Sequence, residues 1–121
     1  MPTVQPIIST PNVDRQRAFY ERLLGAVQTS RFPADGRVFF VGLKLGDSEL
    51  GLVNEADADL SAPPRILLSV EVDDVDALLE QVQAAGGRVL GQPTDMPWGQ
   101  RVAHIHDPDG NVVNLTQTLP R

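Results

Sequence analysis

The chain carries one pattern twice, and this constrains its fold more than any other feature. Asn12-Val13-Asp14 opens one helical pattern and Asp74-Val75-Asp76 opens another, at an offset of 62 residues. At the same offset Gly25 closes the first pattern and Gly87 the second. An apolar, strand-like run precedes each opening, Val4 to Ser9 in the first half and Ile66 to Val72 in the second. Each helix is followed by a loop and then two strands around a tight turn. In the first half these are Val38 to Leu45, the turn Gly46-Asp47-Ser48, and Leu50 to Val53. In the second they are Arg101 to His106, the turn Pro108-Asp109-Gly110, and Val112 to Thr116. The turns lie 63 residues apart, as a single-residue insertion would produce. A fixed internal offset means one supersecondary unit used twice. Both halves read β-α-β-β, with room for a further short strand near Val89-Leu90.

Local signals agree with this reading. Val75, Leu78, Leu79 and Val82 follow the i, i+3, i+4, i+7 spacing of a helix with one buried face. Asp73 or Asp74 caps its start, and Gly86-Gly87 supplies a left-handed stop. The first helix is less regular, but Ala18, Phe19 and Leu23 share a face. Residues 55–64, acidic and carrying Pro63-Pro64, read as the linker between a module at about 1–55 and another at about 65–121. A sheet with one face under its helix leaves the other face open. Two such modules side by side are expected to enclose a groove, where a small molecule would bind.

Composition narrows the function. A length of 121 residues suits one domain of two small modules. Hydrophobic residues make up 41% and charged residues 21%, which excludes wholesale disorder. The absence of cysteine removes thiolate metal sites and cysteine nucleophiles, and suits a reducing cytoplasm. Ten Lys and Arg against sixteen Asp and Glu give a net charge of -6, so no nucleic-acid partner is expected. No apolar run approaches the roughly 20 residues of a membrane-spanning helix, and the start, Met1 to Pro6, lacks the basic and apolar regions of a signal peptide. The expectation is a soluble, cytoplasmic protein without a membrane partner.

Four segments then occur in order: Phe19-Tyr20-Glu21-Arg22-Leu23-Leu24-Gly25, Val70-Glu71-Val72-Asp73-Asp74-Val75-Asp76, Trp98-Gly99-Gln100-Arg101 and Asp107-Pro108-Asp109-Gly110-Asn111. Singly each is weak, since Asp-Pro-Asp-Gly alone is a good turn. Together, and in register with the repeat, they resemble the vicinal oxygen chelate superfamily of glyoxalases, bleomycin-resistance proteins, fosfomycin-modifying enzymes and extradiol dioxygenases, over nearly the whole chain. The resemblance implies an α+β fold of paired βαβββ modules, with a cupped mixed sheet, helices outside, and usually a homodimer.

The resemblance also implies where a metal would sit in the family's enzymes: on the first strand of each module and on the last strand. By motif those positions fall on Gln5, Leu67 and Asn114, with Gly51 at the matching position of the first module. A divalent ion in a partly dry cup needs anionic or imidazole donors. Leu67 has none, Gly51 has no side chain, and Gln5 and Asn114 offer only neutral amides. Neither a metal nor another cofactor is expected, and no Lewis acid is then available to stabilise an enediolate or activate oxygen. His104 and His106, two apart on a strand, point to one face, and by resemblance His104 faces the cup. Three readings of His104 stand open: a hydrogen-bonding pocket wall, a general base, or half of a His-x-His metal pair with no third donor in view.

Trp98, the single Trp, is read either as a lid over the sheet edge or as an aromatic plate for a flat ligand, with Phe39 or Phe32 opposite. Arg101 either hydrogen-bonds a ligand carbonyl or pairs with a carboxylate, and Gly99 permits a bulge. These segments look most like the metal-free antibiotic-binding branch, especially mitomycin-binding proteins, which implies sequestration of a flat aromatic or quinone-like natural product by a homodimer. The ligand-binding set is then Trp98, His104, Arg101, Gln5, Leu67, Asn114, Phe39 and Phe32, with no catalytic residue. The alternatives are a glyoxalase-like lyase or isomerase using His104 as base or an atypical metal site, and an interaction module whose cup has no ligand.

Overall fold

The computed structural model describes residues 3–120. They form two compact units that meet between Asp59 and Leu60. The boundary lies inside the acidic, proline-bearing stretch, where no helix or strand forms between Asn54 and Leu68.

The first unit runs β1 (Ile7–Thr10), α1 (Val13–Leu24), β2 (Val27–Phe32), β3 (Phe40–Leu45) and β4 (Ser48–Asn54). Its sheet has the order β1-β4-β3-β2, with β1 parallel to β4 and the other pairs antiparallel. The helix starts where Asn12 accepts a hydrogen bond from the Arg15 amide, 3.1 Å away. It stops at Gly25, whose φ of 70° satisfies the last carbonyls in the left-handed conformation that glycine adopts without strain. Val13, Phe19, Tyr20 and Leu23 are buried on α1, and Val41, Leu43, Leu50 and Leu52 are buried on the strands beneath. Each such side chain contributes about 1.5–3 kcal/mol on leaving water. The Phe19 and Tyr20 rings meet edge to face, 5.0 Å between centroids.

The second unit runs β5 (Leu68–Glu71), α2 (Val75–Val82), β6 (Arg88–Val89), β7 (Thr94–Asp95), β8 (Gln100–His106) and β9 (Val112–Thr118). Its order is β5-β9-β8-β6, with β7 also on β8. β5 is parallel to β9, repeating the β1–β4 arrangement. Asp74 rather than Asp73 caps α2, accepting from the Ala77 amide at 3.1 Å. After Val82 the chain makes one further turn and reverses at Gly86, φ 102°. The core is Val75, Val82 and Ala85 over Ala103, Ile105, Val113 and Leu115.

The fold is therefore the expected α+β arrangement of two βαβββ-type modules with mixed sheets. Three local readings change. The first strands begin later, at Ile7 and Leu68 instead of Val4 and Ile66. The stretch after α1, read as a loop, is the edge strand β2, and the second unit adds β7. The short strand placed near Val89-Leu90 occupies Arg88–Val89.

Candidate functional site

In the second unit two interactions fix which way the strand residues face. The Val75 amide at the start of α2 donates to Gln117 Oε1 at 2.9 Å, and Arg101 reaches the α2 carboxylate of Asp76 at 3.2 Å. Gln117 and Arg101 therefore lie on the helix side, and by strand alternation their neighbours Gln100, His104, Asn114, Thr116 and Thr118 lie on the opposite face. Glu71 joins them from β5, because its carboxylate accepts from Thr116 Oγ1 at 3.2 Å and Thr118 Oγ1 at 2.7 Å. This helix-free face is the candidate site.

His104 and Asn114 are direct cross-strand partners, and His104 Nδ1 lies 2.7 Å from Asn114 Oδ1. An amide oxygen can only accept, so this contact is a hydrogen bond in the tautomer that carries the proton on Nδ1. That tautomer presents Nε2 as an acceptor on an exposed side chain. His106 follows on the same face, half-buried, opposite Val112 and beside Arg88.

Trp98 stands at the tip of the turn between β7 and β8. The Met96 amide donates to the Gln100 carbonyl and the Gly99 amide to the Met96 carbonyl. Gly99 has φ 94° in open space, so it serves this turn and not a bulge. The indole is 65% exposed, and its Nε1 donates to Gln100 Oε1 at 2.9 Å. Arg101 is held by carboxylates, Asp95 at 3.0 Å as well as Asp76, on the helix side. Of its two readings the ion pair is the one formed.

The first unit presents a different, mainly apolar face. Gly51 and Gly42 are cross-strand partners there, and the half-buried Phe40 ring lies over them. A Cβ on Gly51 would come within 2.9 Å of that ring and 3.1 Å of Ile7. Phe32, 67% exposed, pairs with Phe40 across β2 and β3, and Phe39, 54% exposed, precedes β3. Gln5 is exposed ahead of β1, next to Pro6, whose carbonyl accepts from the Gly51 amide at 2.9 Å. In the second unit Leu67, 49% exposed, precedes β5.

Phe40 and Glu71 were not singled out in the sequence. Phe40 stands beside an identical residue, and only strand register separates the two. Glu71 lies in the segment Val70 to Asp76, but nothing in the sequence announces the two threonines 45 and 47 positions away that hold it.

The residues at the metal positions do not fit a divalent ion. Asn114 offers one neutral oxygen already engaged by His104, Leu67 offers hydrocarbon, and Gly51 is backed by the Phe40 ring. Among the described residues no three His, Cys, Asp or Glu side chains gather as a metal-holding group, and no helix is long and apolar enough to cross a membrane.

Comparison with known proteins adds the following. The family model described as "Glyoxalase/Bleomycin resistance protein/Dioxygenase superfamily" matches residues 3–115. The chain is 34% identical over 112 residues to "Putative glyoxylase CFP32" of Mycobacterium bovis, covering 93% of this chain and 42% of that protein. It thus spans less than half the length of that relative. It is 30% identical over 115 residues to a Mycolicibacterium smegmatis protein, covering 95% of this chain and 92% of the other. Among solved structures, a glyoxalase/bleomycin resistance protein/dioxygenase family enzyme from Burkholderia phytofirmans PsJN superposes with a TM-score of 0.81 at 25% identity, covering 95% and 97% of the two chains. A bleomycin-binding protein complexed with bleomycin superposes with a TM-score of 0.71 at 25% identity, covering 98% and 99%.

Proposed function

The chain belongs to the glyoxalase/bleomycin resistance protein/dioxygenase superfamily, and on that premise we propose that it is a metal-free binding protein that sequesters a flat aromatic or quinone-like natural product. The observation that carries the reading is the His104–Asn114 pair. At Asn114, one of the positions where the resemblance puts a metal ligand, stands an amide whose oxygen already serves a histidine. Such a face offers hydrogen bonds to a ligand's carbonyl and hydroxyl groups, and the exposed Trp98 ring offers a stacking surface. The bleomycin-binding neighbour supports small-molecule binding. The reading takes the mitomycin-binding type as its nearest parallel, a cytoplasmic homodimer as its working form, and Gln5, Leu67, Phe32 and Phe39 as further ligand contacts.

The test is calorimetric titration with a panel of quinones and fused-ring aromatics. At least one should bind saturably, and Trp98→Ala should weaken it about tenfold, from the loss of stacking and ring burial. No binding across the panel would refute the reading.

One observation favours a second reading. In the tautomer that donates from Nδ1 to Asn114, the His104 Nε2 is left to accept a proton, as a lyase or isomerase base would. Deuterium exchange next to a substrate carbonyl, abolished in His104→Ala, would establish this activity in place of sequestration.

A further inference from the structure

We propose that the Trp98 end of the β5–β9–β8 face is an amine-recognition subsite, in which Glu71 takes an ammonium or guanidinium group of a ligand whose ring lies against Trp98. The inference rests on the ligand-binding reading and adds the chemical class of the ligand. Four side chains form a continuous row across three strands. Trp98 Nε1 donates to Gln100 Oε1 at 2.9 Å, Gln100 is the cross-strand partner of Thr118, and Thr118 Oγ1 donates to Glu71 Oε1 at 2.7 Å. Thr116 Oγ1, which also lies 3.4 Å from the Val70 carbonyl, donates to the second carboxylate oxygen. Two hydroxyls thus hold the carboxylate in one orientation. Each oxygen keeps a free lone pair, because an ionised carboxylate has about four acceptor sites.

What the carboxylate lacks is a cation. Among the described residues Glu71 makes no ion pair. Arg101 on β8 is turned to the other face and held by Asp76 and Asp95. An oriented carboxylate with open acceptor sites, on a protein of net charge -6, favours a positive partner. Trp98 reinforces the preference, since an aromatic face attracts a cation directly and also stacks on a ring bearing one. The row spans two strand spacings, about 10 Å. This matches a bicyclic ring with a short aminoalkyl arm.

The experiment compares 2-(2-aminoethylamino)-1,4-naphthoquinone with its uncharged counterpart 2-(2-hydroxyethylamino)-1,4-naphthoquinone by calorimetry at neutral pH. Wild-type protein should bind the amine at least about tenfold more tightly, as a hydrogen bond to a charged group provides. Glu71→Gln should weaken the amine far more than the alcohol and so remove that preference, and Glu49→Gln, which removes an exposed charge from the other unit, should retain it. Equal binding of both probes by wild type would overturn the subsite and leave the aromatic-binding reading standing. A preference that survives in Glu71→Gln would also overturn it, by placing the amine elsewhere. Binding of neither probe would count against both.

Discussion

Asp107 shows how much one side chain carries in the turn that the sequence marks most plainly. It is buried, with Oδ1 accepting from the Asp109 and Asn111 amides at 3.0 Å each and Oδ2 accepting from Asn111 Nδ2 at 2.9 Å. The turn delivers β8 into β9 and so sets the register that pairs His104 with Asn114. Asp107→Ala strands two amides, and a loss of about 2–4 kcal/mol is expected in urea denaturation. A loss below about 1 kcal/mol would mean that water replaces the carboxylate. At this scale the sequence was informative wherever chemistry is local: the turn, Asp74 as a cap, and Gly25 as a stop can all be read from neighbours in the chain. It was uninformative where a partner comes from another strand. Arg101 had two open readings until Asp76 and Asp95 were placed beside it, and Glu71 acquires meaning only from Thr116 and Thr118.

The elements differ in how visibly they are encoded. α1 and α2 have apolar faces and capping residues at both copies of the repeat, so their positions follow from periodicity. β2 does not, because Val27 to Phe32 is exposed along its whole length and has no alternation between a wet and a dry side. Its strand character comes from pairing with β3, a long-range property that its own residues do not reveal. β1 and β5 are shorter than their apolar runs, since pairing begins only where β4 and β9 run alongside. The helices also yield a matched test. Asn12→Ala and Asp74→Ala each remove an N-cap hydrogen bond at equivalent places in the repeat. Each should lower stability by about 1 kcal/mol in denaturant titration. A neutral effect at either position would mean that tertiary packing alone holds that helix start.

For the whole molecule, the repeat gave the architecture and the resemblance named the family, which the family model and the solved structures bear out. The homodimer belongs to the proposed function. β2 lies at a sheet edge and exposes Val27 and Phe32, a strand edge of the kind that a second chain covers. Equilibrium sedimentation should give twice the 13.1 kDa chain mass, and Phe32→Lys should shift the population towards monomer. A wild-type protein that remains monomeric at high concentration would remove dimerisation from the account.

The central claim of the proposed function is that this member of the superfamily binds its ligand without a metal ion, because neutral amides and hydrocarbon stand where donors would be needed. Elemental analysis of protein purified without chelator, followed by ligand titration before and after dialysis against EDTA, tests it most directly. The account predicts far less than one zinc, nickel, manganese or iron per chain and an affinity that chelation does not change. One ion per chain, with binding or turnover lost on its removal, would contradict it.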